Sequence, residues 1–243
     1  MPPPASVTGH MLVSQRRILE PELMDQPGLG IGEHHHALTS LGRANAVSRT
    51  TATLMPAIRA AARARRSGPV RILDVACGGG QVAIELAERL GSAVHVTGCD
   101  MSQVALDYAR ALADRRRARN VEFTPLNVLS DAWPTDFDVV TCSLFLHHLK
   151  DDDAEQLMRR MMAAATHTVL ISDLRRSNLG FVTAWVGCRL LSRSRVFHVD
   201  GTRSVRAAFR TSEALALAER AGMRGATMRH CWPQRFLLTW TRA

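Results

Sequence analysis

Hydrophobic positions follow two different rhythms along the 243-residue chain. From about residue 14 to 66 they recur with helical spacing: Ile18, Leu19, Leu23 and Met24, then Leu38, Leu41, Val47, Leu54, Met55 and Ile58. This spacing predicts an N-terminal helical cap over residues 14–66, broken by a Gly-rich loop from Gln26 to Gly32. Residues 1–13 carry no such pattern and read as a disordered leader. Pro69 cannot continue a helix and closes the cap.

From residue 67 the rhythm changes. The apolar run Val70–Ala76 reads as a buried strand. Helical spacing returns over 81–91 (Val82, Leu86, Leu90) and ends at Gly91. Strands are expected at Val94–Cys99, Val121–Leu126, Phe137–Ser143 and Thr168–Ser172. Helices are expected at 102–118, with Ser102 as its cap, and at 151–165. Strand–helix alternation of this kind implies an α/β fold with a mostly parallel sheet. After Asp173 it stops for nearly forty residues. The insertion 174–210 is apolar first (Leu179, Phe181, Val182, Trp185, Val186, Leu190, Leu191) and then basic. A helix at 212–222, capped by Thr211, and strands near 225–231 and 235–241 follow. Only Trp232, Pro233 and Gln234 separate these two strands, which fits an antiparallel hairpin at the sheet edge. The expected organisation is one domain, 67–243, with a lid insertion at 174–210 and the cap 14–66 before it.

Composition narrows the class. With 46% hydrophobic and 22% charged residues, the chain is neither collagenous, coiled-coil nor intrinsically disordered. The net charge is +9, and all but one of the 31 basic residues are arginine. Residues 174–210 hold eight arginines against one acid, Asp200. That concentration predicts a basic surface for an acidic or carrier-bound small molecule, or for peripheral contact with a membrane. Five cysteines without a CxxC spacing argue against a disulfide framework or a zinc site and for a reducing compartment. No signal peptide is expected, and the most apolar stretch, 179–191, is too short to span a bilayer. A cytoplasmic location follows as an expectation.

Chemistry concentrates after the first strand. Leu73-Asp74-Val75-Ala76-Cys77-Gly78-Gly79-Gly80 sits where a strand meets a helix, and its glycines let backbone approach a ligand closely. Asp100 ends the second strand, where a carboxylate can accept hydrogen bonds from ribose hydroxyls. Gly78, Gly80 and Ala83 satisfy G-x-G-x-x-A, so a dinucleotide is formally allowed. Asp74 opposes a pyrophosphate, however, and suits a cation such as the α-ammonium of S-adenosylmethionine (SAM).

The D-x-x-C-G-x-G run from Asp74 to Gly80, Asp100, and Leu146-His147-His148-Leu149 after the fourth strand resemble the class I SAM-dependent methyltransferases. The likeness is nearest to UbiE-like bacterial small-molecule enzymes. It covers about residues 70–173 and agrees in outline over 211–241. It implies a Rossmann-like sheet of seven strands, mostly parallel with an antiparallel C-terminal strand. By the same resemblance, Gly78, Gly79 and Gly80, with Cys77 between them and the strand, approach the methionine part of SAM. Asp74 holds its ammonium, Asp100 its ribose, and Met101 packs on adenine. Asn127 stands where the family usually has an aspartate for the adenine amino group. Val128 offers a backbone N–H to the ring, and Ser143 and Leu144 line the cofactor. A histidine after strand four and an aspartate after strand five act as a pair in related sugar and phenol methyltransferases. His147 and Asp173 match them, with His148 the competing histidine, and a neutral imidazole suits a base near pH 7. Two segments outside the shared core, Pro21-Glu22-Leu23-Met24-Asp25 and Asp200-Gly201-x-x-Ser204-Val205, resemble methyltransferases found beside polyketide synthases.

Other clusters have structural readings. Cys77 is a packing residue without a base beside it. His34-His35-His36 cannot easily converge on one ion, and no metal is expected. Asp151-Asp152-Asp153 suits the first turn of a helix and Arg115-Arg116-Arg117 a helix end. The expected activity is methylation of a hydroxyl on a phenolic, quinone-like or polyketide-derived molecule. Methylation at a ring carbon is the nearest alternative. A nucleic-acid methyltransferase lacks its Asn-Pro-Pro-Tyr-type motif here, where Ser143-Leu144-Phe145-Leu146 stands. A non-catalytic SAM-binding subunit is the third possibility.

Overall fold

The structure is a computed structural model that describes residue 13 and residues 16–26, 28–65 and 67–242. Its centre is a seven-stranded sheet of order β3-β2-β1-β4-β5-β7-β6. The strands are β1 (Val70–Val75), β2 (Val94–Asp100), β3 (Val121–Pro125), β4 (Phe137–Ser143), β5 (Ala165–Leu174), β6 (Thr227–Cys231) and β7 (Arg235–Thr241). The first five run parallel, and β7 and β6 are antiparallel. This is the expected α/β sheet with its hairpin at one edge.

The helices are α1 (Ile31–Val47), α2 (Thr50–Ala64), α3 (Gln81–Leu90), α4 (Gln103–Arg116), α5 (Asp151–Ala164), α6 (Asn178–Leu191), α7 (Arg195–Ala207) and α8 (Thr211–Ala221). Alternate strand residues point to opposite faces. Leu73, Val75, Val140 and Ile171 therefore pack with Leu157, Met161 and Leu217 of α5 and α8. Ile72, Val96, Val139 and Leu170 pack with Leu54, Ile58, Val82 and Leu86 of α2 and α3. Both faces are covered, so the central strands are mostly apolar, with Asp74 and Thr141 as buried exceptions near their C-terminal ends. Truncating a fully buried leucine such as Leu73 to alanine would cost about 2–5 kcal/mol.

Two expectations need correction. The helical cap does not begin at 14: within the described residues the first α-helix starts at Ile31, and Leu23–Asp25 is only a 3-10 turn. Pro21 and the glycines at 28 and 30 disfavour a helix there. The Asp200 carboxylate also accepts the N–H groups of Leu23 (2.7 Å) and Met24 (3.1 Å), holding the chain in another path. Helix α8 is likewise capped by Arg210, whose N–H donates to Glu213 Oε2 at 2.9 Å, and not by Thr211. The proposed leader, 1–13, lies outside the described residues except for Val13, whose N–H donates to Asn178 Oδ1.

The insertion 174–210 forms α6 and α7, which pack on each other and on α1. Phe181 and Cys188 face inward, whereas Trp185 and Leu190 are exposed, with Arg189 stacked over the Trp185 ring at 4.1 Å. None of the helices among the described residues is long and apolar enough to cross a membrane.

Candidate functional site

The C-terminal ends of the parallel strands gather the candidate residues. The β1–β2 ladder continues one step past β1, where the Cys77 N–H donates to the Cys99 carbonyl at 2.9 Å. The chain then turns sharply into α3. Ala76, Gly78 and Gly80 all have positive φ. A Cβ at Gly80 would lie 2.7 Å from the Phe123 ring, so the turn requires glycine. At Gly78 an added Cβ would meet nothing within 4 Å, and the backbone borders open space.

Asp74 and Asp100 flank that space. Parallel pairing sets Asp74 opposite Thr141 of β4, and the Thr141 hydroxyl donates to Asp74 Oδ1 at 2.8 Å. Burial pushes the Asp74 carboxyl up to about 7; the Thr141 bond opposes the shift and nearby Asp100 adds to it. Asp100 accepts the Gly78 N–H (2.8 Å) on one oxygen and the Ser102 N–H (2.9 Å) on the other. Burial also raises its pKa, against those two bonds. A small cavity of about 50 Å³ is lined by Asp74, Cys77, Gly78, Ser143 and Leu144, and by Leu41, Asn45 and Gln81. The last three, from α1 and the start of α3, were absent from the expected set. Among the described residues the buried Ser143 hydroxyl has no hydrogen-bond partner.

Met101 is 73% exposed beside Asp100. Asn127 is occupied locally: its Oδ1 accepts the Leu129 N–H at 3.0 Å, and its own N–H donates to Asp131. One lone pair of that amide oxygen remains for a ligand. Val128 is buried, and its carbonyl accepts the Trp133 indole N–H. A larger hollow of about 460 Å³, lined by α8 and the loop 223–226, contains none of these residues.

The second cluster lies past β4 and β5. Their register pairs Ser143 with Ser172, so Asp173 follows level with the turn after β4. His147, in the 3-10 turn Leu146–His148, is gripped twice by Asp173: its N–H reaches Oδ2 at 3.1 Å and its Nδ1 lies 2.7 Å from Oδ1. Both side chains are buried. A second carboxylate, not expected from the sequence, meets them. Glu22 Oε1 lies 3.5 Å from His147 Nε2 and 3.7 Å from His148 Nε2. One ligand atom from each of these three residues falls within 4.8 Å of the others. Burial by itself would lower the His147 pKa, but Asp173 and then Glu22 outweigh it and push it up to about 10. Burial would raise Asp173 and Glu22; the charge and hydrogen bonds of the histidines reverse this, and both carboxyls end below their usual range. His148 is more open, with Asp25 Oδ2 3.4 Å from its Nδ1.

Arg17 secures this turn. It donates to the carbonyls of His147 (3.2 Å) and Leu149 (2.8 Å), pairs with Asp151 at 2.7 Å, and lies over the Phe209 ring. The three histidines 34–36 lie in the first turns of α1; burial lowers the His34 pKa, and the charges of nearby Asp25 and Asp100 oppose that shift. Cys77 stays within the loop, its thiol pushed well above the usual range by burial.

Comparison with known proteins bears on the domain and its fold. Residues 72–167 match the model of a methyltransferase-domain family. The ubiquinone biosynthesis O-methyltransferase of Bordetella parapertussis is 32% identical over 165 residues, 65% of this chain and 64% of that protein. The Neisseria meningitidis serogroup C protein of the same description is 40% identical over 86 residues, 35% of each chain. The alignment with the Bordetella relative thus spans just under two thirds of its length. Among solved structures, a putative O-methyltransferase from Nostoc punctiforme superposes with a TM-score of 0.65 at 17% identity, over 93% of this chain and 64% of that one. Magnesium protoporphyrin IX methyltransferase from Synechocystis, with bound S-adenosylhomocysteine (SAH), gives 0.57 at 17% identity over 84% of each. Residues 72–167 are thus similar to methyltransferase domains, and the fold is the one seen in SAM-dependent methyltransferases of known structure. The residues present fit that cofactor: open space beside Gly78, two carboxylates for an ammonium and a ribose, and an unpartnered buried hydroxyl at Ser143.

Proposed function

We propose that the protein transfers the SAM methyl group to a hydroxyl of a phenolic, quinone-like or polyketide-derived small molecule. The observation that carries this reading is the His147–Asp173 pair beside the cofactor cleft. An oxygen nucleophile must lose a proton, and a carboxylate-backed imidazole pair at the acceptor end supplies a place for it. The relatives described as O-methyltransferases of ubiquinone biosynthesis support an oxygen acceptor.

In this reading Gly78, Gly79 and Gly80 bring backbone against the methionine part of SAM, with Cys77 filling the loop. Asp74 holds the ammonium and Asp100 the ribose. Met101, Asn127 and Val128 meet the adenine, and Ser143 and Leu144 border the transferring methyl. The sulfonium is already a good leaving group, so alignment in a dry site provides much of the acceleration. The acceptor oxygen forms its bond to the methyl carbon, the carbon–sulfur bond breaks, and the acceptor proton passes to the neutral form of the His147–His148 pair, which His147, raised to about 10, reaches only at alkaline pH. The arginines of α6, α7 and their flanks favour an acidic or carrier-bound acceptor and give the lid a surface for anionic membranes. The five free cysteines support a cytoplasmic location.

The test is transfer of an isotope-labelled methyl from SAM to a panel of phenols, catechols and polyketide intermediates, with carbon NMR of the product. An O-methyl resonance is expected. A ring C-methyl moves the assignment to carbon, and labelling of RNA alone overturns the small-molecule reading.

A further inference from the structure

The two segments outside the shared core, Pro21–Asp25 and Asp200–Val205, lie 175 positions or more apart in sequence and meet in space. Asp200 accepts the N–H groups of Leu23 and Met24. The Ser204 hydroxyl donates to Glu22 Oε1, and Arg203 donates to the Pro21 carbonyl at 2.8 Å. Arg203 also pairs with Glu20 at 3.0 Å. Each contact fixes the short segment around Glu22 against α7. What this delivers is one buried carboxylate, placed over both histidines after β4.

A buried carboxylate is costly unless it is paired. Among the described residues Glu22 has as near cationic partners only His147 and His148, and its one hydroxyl donor is Ser204. Other charged groups surround this centre, among them the buried Arg235 of β7, whose charge acts on Asp173. Asp173 of β5 grips His147 Nδ1, Asp25 faces His148, and Asp200 is turned to backbone N–H groups. Arg17 is engaged by carbonyls and Asp151. The Ser204 bond that pins the segment to α7 could be kept by a neutral acceptor such as glutamine, whereas a negative charge at position 22 acts on the two histidines.

We propose that Glu22 is a positioning residue of the transfer centre, carried into place by the Pro21–Asp25 and Asp200–Val205 segments to raise the proton affinity of the His147–His148 pair. Asp173 orients His147 from one side, and Glu22 stabilises positive charge on either ring from the other. The neutral form of the pair, which His147 reaches only as pH rises toward 10, is thereby a stronger base for the acceptor proton. The segment belongs to the active centre and not only to the surface. This deepens the proposed transfer reaction and rests on it for the rate measurements, while the titration below is independent of turnover.

The experiment compares wild type with Glu22→Gln, Glu22→Asp and Ser204→Ala. SAH calorimetry checks that each variant is folded with its cofactor cleft intact, with affinity within roughly twofold of wild type. NMR follows the imidazole titrations of His147 and His148 against pH, assigned with His147→Gln. In Glu22→Gln the His147 midpoint falls by about one pH unit or more. The acid limb of kcat for a methylated phenol moves to lower pH by a similar amount, and the plateau rate drops. Glu22→Asp restores part of both effects, and Ser204→Ala shows a smaller shift in the same direction. Unmoved titrations and an unmoved acid limb in a folded, SAH-binding Glu22→Gln protein overturn the proposal. If wild type methylates no acceptor while the midpoint still falls, the coupling of Glu22 to the histidines stands and the transfer reading fails.

Discussion

If Asp74 holds the α-ammonium of the cofactor, its charge should make SAM or SAH affinity a function of pH near neutrality. Its carboxyl is buried between β1 and β4, and burial raises its pKa to about 7 with only the Thr141 hydroxyl opposing. The free protein thus carries this site mostly protonated at pH 6, about 10% ionised, and about 90% ionised at pH 8. If the α-ammonium of the ligand binds the carboxylate form, SAH affinity should improve about tenfold between those two values. The linkage has a second consequence. A carboxyl whose folded pKa lies above its unfolded value binds more protons in the folded state over that interval. Its contribution to stability therefore falls as pH rises from about 4 to about 7. Asp74→Asn, which keeps the Thr141 contact and cannot ionise, should melt at a higher temperature than wild type at pH 8 without ligand. The same variant should bind SAH more weakly at pH 8 and lose most of the pH dependence. Isothermal calorimetry from pH 6 to 8.5, paired with thermal melts, measures both. An Asp74→Asn protein that retains the tenfold rise refutes this account of the ammonium site.

Three further outcomes follow from the same coordinates. Asp173→Asn removes the charge that faces His147 Nδ1, so single-turnover transfer should fall by about 10²–10⁴-fold with SAH affinity nearly unchanged; equal rates would dissociate the pair from the chemistry. Gly80→Ala forces a Cβ to 2.7 Å from the Phe123 ring at a φ of +72°, and should destabilise the fold by about 1–3 kcal/mol in urea titration while weakening SAH binding; an unaltered midpoint contradicts the packing described. His147, raised to about 10 in the folded state, stabilises the protein fully below the unfolded histidine value and loses that contribution as pH rises through 10. Wild type should therefore lose melting temperature between pH 8 and 10.5 more steeply than His147→Gln, and parallel curves would count against the buried charge.

The sheet, the glycine turn and the carboxylates Asp74 and Asp100 were legible in the sequence because each is encoded by neighbours. An apolar run, a turn that needs positive φ and a helical periodicity are local properties, and together they place Asp74 and Asp100 at strand ends. The antiparallel hairpin was legible for the same reason, through its three-residue link. Register is less local. His147 and Asp173 could be nominated as partners by family likeness, but only the Ser143–Ser172 pairing of β4 and β5 brings Nδ1 within 2.7 Å of the carboxylate. Residues 16–30 show the limit more clearly. Ile18, Leu19, Leu23 and Met24 have helical spacing, yet Asp200, far along the chain, captures the Leu23 and Met24 N–H groups and the first helix waits until Ile31. Glu22 had no periodic or motif signal that linked it to the histidines. Its place over His147 and His148 depends on long-range hydrogen bonds with α7, and only the folded chain could decide it.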